Sequence, residues 1–327
     1  YGAMYLNDSI KKEKIRYYAT RNEATAPIMA AAYGRVKNEV GVACVTAGPG
    51  ATNAIPGLAE AFVDSSPIIV ISGQVDKKHT TISTKSKTIR TFGTAEINIE
   101  PIVANLTKFS KTILNANDIK YILDKAFYLA QNGRPGPVWI DIPLDIQRKK
   151  IVYKNLKIFK PKKNKLYKDN SNIQKIIYQL KKSKKPIIVC GQGVKSSKTF
   201  NKIYKNISLV HNIPILFTRA AQDLASHTKR LILGQAGIKG SPYCKKIMTE
   251  CDLVINFGSR LAPQFVGHNF EAFKNAKIIS VDIEKDELYK KGAKIETKIN
   301  ADLKIFIPKL LTELKNKKYF NYKSWSE

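Results

Sequence analysis

One stretch limits what this chain can fold into more than any other: residues 42–75. Residues 42–46 are apolar and rich in β-branched side chains, the pattern of a strand buried on both faces of a parallel sheet. Gly48-Pro49-Gly50 breaks that run, and glycine lets other atoms come close to the backbone. Residues 53–62 read as a helix, with Leu58, Ala61 and Phe62 at helical spacing, and residues 68–72 as the next buried strand. The turn falls at the carboxyl end of a strand and the start of a helix. Backbone N–H groups lack partners there, and open α/β sheets take up ligands there. A tight turn with no ligand accounts for the same glycines equally well.

The rest of the chain extends this pattern. Residues 14–19 read as a short strand, and 21–35 as an alanine-rich helix with Pro27 in an early turn, where it is tolerated. Residues 76–97 are polar and predict a surface loop. Helices follow at 99–105 and 118–131, the second with Ile122, Leu123, Ala126, Phe127 and Ala130 on one face, and then a strand at 138–142 ended by Pro143. Residues 151–167 turn to lysine with no helical or strand period, which predicts a linker. A second alternating series has helices at 173–180, 197–210 and 303–314, and one ending over 246–251. Its strands are expected at 186–190, 213–217, 253–257 and 277–282. Gly191-Gln192-Gly193 follows one strand and Gly258-Ser259-Arg260 another; the first is a dinucleotide fingerprint without its third glycine. The expected fold class is α/β, with two doubly wound parallel-sheet domains at residues 1–150 and 168–318, and with 319–327 leading away as a further linker.

Composition narrows the functions. With 327 residues, 43% of them hydrophobic, the chain can build two cores. Its formal charge of +30 raises nucleic-acid binding. The lysines are scattered over loops and helix ends and do not interleave with aromatics, so a solvated surface is expected and no nucleic-acid partner. No apolar run reaches membrane-span length. Four cysteines without CxxC spacing fit a reducing, cytoplasmic setting, and the four histidines show no metal spacing. The chain opens on Tyr1 and stops soon after Trp325, so both ends are expected to be cut. Glu23 stands out among the carboxylates. Between a strand and an apolar helix, desolvation would raise its pKa; as a solvated residue at a helix start it would merely complement the helix dipole.

Several motifs recur in order: Arg21-Asn22-Glu23-Ala24, residues 46–53, Asp64-Ser65-Ser66-Pro67, residues 72–75, residues 133–138 and residues 141–145. They resemble the thiamine-diphosphate enzymes of the acetolactate synthase type. The second domain continues the likeness with Gly191-Gln192-Gly193-Val194, residues 237–240, Asp252 and Gly258-Ser259-Arg260. The resemblance implies a pyrimidine-binding domain followed by a Rossmann-like central domain. It implies that Glu23 shares a proton with the cofactor's ring, while Gly48, Pro49, Gly50, Asn53 and Gln74 line the pocket. It places Gly191, Gly193 and Arg260 at a nucleotide diphosphate, with FAD as the candidate. The implied activity is decarboxylation of a 2-oxo acid, pyruvate in that family, and carboligation to a second carbonyl. The active site would lie between the subunits of a homodimer or homotetramer.

The family holds the cofactor's diphosphate and Mg²⁺ with a Gly-Asp-Gly segment. None occurs here, so no metal ligand is assigned, the Mg²⁺ site is expected in a further domain, and the chain alone is expected to be inactive. Three positions depart from the pattern. Asn22 stands where histidine is usual, Ala95 where glutamine precedes the glutamate, and Leu261-Ala262-Pro263-Gln264 where the flavin segment carries charge. Two alternatives follow from them. One is a related lyase or decarboxylase for another oxo acid or keto sugar. The other is a truncated, non-catalytic nucleotide- or flavin-binding subunit.

Overall fold

In the computed structural model, residues 2–161, 167, 169–315 and 320–326 are described. The chain divides into two compact units, Tyr1–Lys163 and Asn164–Glu327. Of the expected linker at 151–167, residues 162–166 lie outside the described residues.

The first unit is a four-stranded parallel sheet of order β1-β2-β4-β3, built from β1 (Gly41–Val45), β2 (Ile68–Gln74), β3 (Phe109–Thr112) and β4 (Val138–Pro143). Alternation along the strands feeds two cores. Ile68, Val70 and Trp139 point to one face with Leu58, Ala61 and the alanines of α2 (Thr25–Lys37). Ile69, Val138 and Ile140 point to the other with Ile122, Ala126 and Ala130 of the helix Ile119–Gln131. Each fully buried Ile, Val or Leu contributes roughly 1.5–3 kcal/mol through its apolar area. The expected helix over 53–62 is two pieces, α3 (Pro49–Asn53) and α4 (Ile55–Val63), because Pro56 withholds an N–H from the ladder that would join them.

Residues 14–19 form no strand. Ile15, Tyr17 and Tyr18 are exposed, so no packed surface holds that segment extended.

The second unit is a six-stranded parallel sheet of order β10-β9-β8-β5-β6-β7. Its strands are β5 (Pro186–Cys190), β6 (Ile215–Phe217), β7 (Ile232–Gln235), β8 (Leu253–Phe257), β9 (Lys277–Asp282) and β10 (Thr297–Asn300). Counted within the unit, this is the doubly wound order 3-2-1-4-5-6, whose switch point lies between β5 and β8. β6 starts two residues later than expected because Pro214 cannot donate to the ladder. The expected helix at 197–210 starts only at Phe200, after a left-handed Lys198, and passes through a π-helical turn at Tyr204–Ser208. Residues 320–326, expected as linker, pack onto this unit. Phe320 and Tyr322 are buried, the Tyr322 hydroxyl donates to the Leu180 carbonyl, and the Trp325 indole N–H donates to the Pro186 carbonyl at 3.1 Å.

Candidate active site

The segment before α2 and the glycine turn after β1 meet at Glu23. Asn53, the last residue of α3, donates from Nδ2 to Glu23 Oε2 at 2.9 Å and lies 3.4 Å from Asn22 Oδ1. Asn22 Oδ1 also accepts the Ala24 N–H at 2.9 Å, an Asx turn that leads into α2. The other glutamate oxygen, Oε1, lies 3.4 Å from where a Cβ on Gly50 would stand. The nearer neighbour of that position is the Thr46 methyl, at 2.6 Å. The fold therefore brings Glu23, Gly50 and Asn53 together, with Asn22 as a fourth member. The sequence had marked Asn22 only as a departure from a pattern.

The carboxyl does not have the raised pKa expected from desolvation. Glu23 is half-buried, and the Asn53 hydrogen bond, with the residue's own amide adding to it, holds the carboxyl below its usual range. Hydrogen bonds to the ionised form outweigh the burial this chain provides.

Gly48 serves a different contact. Its φ of +56° is left-handed, and a side chain on it would run into the carbonyl oxygen of Ala95. The loop carrying Ala95 is anchored by Glu96, which is buried and accepts from the Thr81 hydroxyl at 2.9 Å and the Phe92 N–H at 3.3 Å. Pro49 opens α3 and is exposed.

The Gln74 side chain bonds to other groups than the Glu23 cluster. It is 2% exposed, its Nε2 donates to the Ile97 carbonyl at 2.9 Å, and its Oε1 accepts the Val75 N–H. Its amide is consumed in tying the end of β2 to the same loop. Nε2 also lies 3.4 Å from Asp141 Oδ2. Asp141, in β4, is 1% exposed and accepts from the Ser72 hydroxyl at 2.5 Å, and Ser72 in turn accepts from the Trp139 indole N–H at 2.9 Å. Burial pushes the Asp141 carboxyl up to about 7 against the pull of these donors. Ser72 and Asp141 fall in the motifs at 72–75 and 141–145, where the sequence alone assigned neither a role, and Thr112 of β3 lies 3.5 Å from the same Asp141 carboxylate.

In the second unit Gly191, Gly193 and Arg260 sit at the switch point, where the glycines serve packing. Gly191 N–H donates to the Phe257 carbonyl and Gly193 N–H to the Gly258 carbonyl, both at 2.9 Å. A side chain on Gly191 would strike the Gly258 carbonyl, and one on Gly193 would lie 2.8 Å from Gly258 Cα. Lys195, one turn on, pairs with Asp223. Arg260 is exposed at the end of β8. A crevice of about 640 Å³ opens at the carboxyl ends of β6 and β7, lined by Phe217, Gln222, His227, Gln235 and Lys239 among others.

Residues 2–97 match the family described as thiamine pyrophosphate enzyme, N-terminal TPP binding domain, and residues 173–310 match thiamine pyrophosphate enzyme, central domain. The chain belongs to the thiamine pyrophosphate enzymes. Among its relatives are acetolactate synthase large subunits of Cyanidium caldarium (34% identical over 93% of this chain and 51% of the relative) and of Lactococcus lactis subsp. lactis (34%, over 98% and 54%). A probable acetolactate synthase large subunit of Methanococcus aeolicus is 32% identical over 94% of this chain and 50% of its own length. The chain thus spans about half the length of the curated relatives it matches.

Thiamine pyrophosphate enzymes need a partner for the cofactor's pyrimidine, and the Glu23 cluster fits that need. A half-buried carboxylate is held at one oxygen by Asn53, and its other oxygen lies toward Gly50, which adds no side chain of its own. In the Gly191–Gly193 turn both glycine amides are bonded within the protein and are not donors left for a diphosphate. Among the described residues no group of three His, Cys, Asp or Glu side chains is placed to hold a metal ion, and no helix is long and apolar enough to cross a membrane.

Proposed function

We propose that the chain supplies the pyrimidine-binding side of a thiamine-diphosphate-dependent active site, in an enzyme that decarboxylates a 2-oxo acid and joins the remaining fragment to a second carbonyl, as in acetolactate synthases. The observation that carries this is Glu23, held by Asn53 beside Gly50 within the matched N-terminal TPP binding domain. When bound, the cofactor supplies the nucleophile and the electron sink. The chain's part is proton handling and orientation. Glu23 Oε1, on the side where Gly50 adds no side chain, is the atom that would meet a ring nitrogen, and Asn53 keeps Oε2 from turning outward. For Glu23 to share a proton near neutral pH, its low proton affinity in this chain must be offset by further burial. A second subunit closing over the half-buried cluster would provide that, which is why we place the site in a homodimer or homotetramer. The diphosphate and Mg²⁺ would be held by residues outside the described ones, since a divalent ion takes carboxylate oxygens and no such group occurs among the described residues.

The test is CO₂ release from pyruvate, with and without an acceptor carbonyl, by the natural-length protein supplied with thiamine diphosphate and Mg²⁺. Glu23→Gln is expected to lower turnover by on the order of 10²–10⁴-fold with folding intact; equal turnover rejects the role. Titration calorimetry of the 327-residue chain alone should show only weak cofactor binding, and micromolar affinity would put the missing ligands inside it. Asn22 and Ala95 favour a second reading, in which the same cluster serves a lyase with another oxo acid or acceptor. A substrate screen that finds turnover without pyruvate would select it.

A further inference from the structure

We propose that Asn53 is a positioning residue for Glu23, not a ligand contact, and that Asn22 is its anchor. This rests on the reading of Glu23 as the proton-sharing group. The amide Nδ2 has two protons and two acceptors: Glu23 Oε2 at 2.9 Å and, more weakly, Asn22 Oδ1 at 3.4 Å. Asn22 cannot drift, because its Oδ1 also takes the Ala24 N–H at 2.9 Å, and its carbonyl takes the Thr20 hydroxyl at 3.0 Å. The clamp thus joins two segments about thirty residues apart, the entry to α2 and the end of α3.

A half-buried glutamate with three free torsions would otherwise spread over several rotamers, at a cost in side-chain entropy whenever it is needed in one place. The clamp removes that freedom from one oxygen and leaves the other facing the glycine. With its donor protons aimed at Glu23 and Asn22, the Asn53 nitrogen has nothing left for a bound ring. No ion pair to Glu23 occurs among the described residues, so the amide is the largest influence on that carboxyl in this chain.

The experiment is a ¹³C NMR titration of the carboxyl carbon of Glu23 in the 327-residue chain, assigned by its loss in Glu23→Gln. In the unsubstituted chain the midpoint should lie below the ordinary 4.5; a midpoint at or above it overturns the proposal without any variant needing to fold. Asn53→Ala, checked for folding by its amide spectrum, should move the midpoint up, and Asn22→Ala by less in the same direction. An unchanged midpoint in folded Asn53→Ala overturns it. In the natural-length protein, Asn53→Ala should lower kcat while cofactor affinity changes little. Lost affinity with an unmoved midpoint makes Asn53 a cofactor contact and overturns the proposal. A moved midpoint with turnover unchanged upholds the clamp and rejects the catalytic reading of Glu23.

Discussion

The two glycine turns of this molecule look alike in sequence and do opposite things. Gly48-Pro49-Gly50 follows β1 and opens α3, and Gly191-Gln192-Gly193 follows β5 and opens the helix Gln192–Ser196. In the first, a side chain on Gly50 would meet the Thr46 methyl and, behind it, the Glu23 carboxylate, and one on Gly48 the backbone of a neighbouring loop. In the second, the space is filled by the backbone of Gly258 and Ser259 across the switch point, and both glycine amides are used up inside the protein. A glycine at the end of a strand shows that something comes close. What comes close is set by the strand order, which puts β8 beside β5.

The largest stability effect that would test this contrast is at Gly191. Gly191→Ala pushes a methyl into the Gly258 carbonyl, and backbone cannot swing away. An overpacking loss of about 1–3 kcal/mol is expected in the urea unfolding of the second unit. Gly50→Ala should cost much less, because the nearest atom is the movable Thr46 Cγ2 at 2.6 Å and alanine gains about 1 kcal/mol of helix preference over glycine. Its effect should instead appear at the Glu23 carboxyl. If the two substitutions destabilise equally, the contrast is broken.

The units should also respond to pH with opposite sign. Asp141, in the first, has its folded pKa raised by burial to about 7 from 3.8. The folded state therefore binds that proton more tightly, and the stability this confers is present below about pH 4 and lost as pH rises toward 7. Asp141→Asn should flatten that slope while keeping an acceptor for Ser72. His211, in the second unit, has its pKa lowered from 6.5 by burial, partly opposed by its hydrogen bond to the Phe320 carbonyl at 3.1 Å. Its contribution is present above about pH 6.5 and lost as pH falls below that, where the unfolded chain takes up the proton. Denaturant midpoints of the two units between pH 4 and 8, resolved by near-ultraviolet signals of Trp139 and Trp325, would show parallel slopes if either assignment is wrong. The smallest expected effect is spectroscopic: purified protein should carry no flavin absorbance, since the switch-point amides are occupied.

Much of the fold was legible because buried central strands are continuous apolar runs. β5 and β8 fall on the residues expected for them, and β2 and β9 begin where expected. The three strands that the sequence does not mark, β3, β7 and β10, all lie at sheet edges, where exposed Lys111 and Lys298 and half-buried Gly234 dilute the apolar signal. Residues 14–19 differ the other way: expected as a strand, they are exposed and pair with no neighbouring strand among the described residues.

By itself, the sequence determined the α/β class, the two-part layout and the family, because these follow from periodicity and from residues adjacent in the chain. It also singled out Glu23 and the Gly48-Pro49-Gly50 turn. Only the tertiary structure decided what those residues touch. It joined Asn53 to Glu23, withdrew Gln74 into a buried network with Asp141, and closed the Gly191 turn on Gly258. It also gave Glu23 a lowered rather than a raised proton affinity. The physical reason is that hydrogen bonding and desolvation depend on atoms brought together from distant segments, and the balance between them is a property of that geometry.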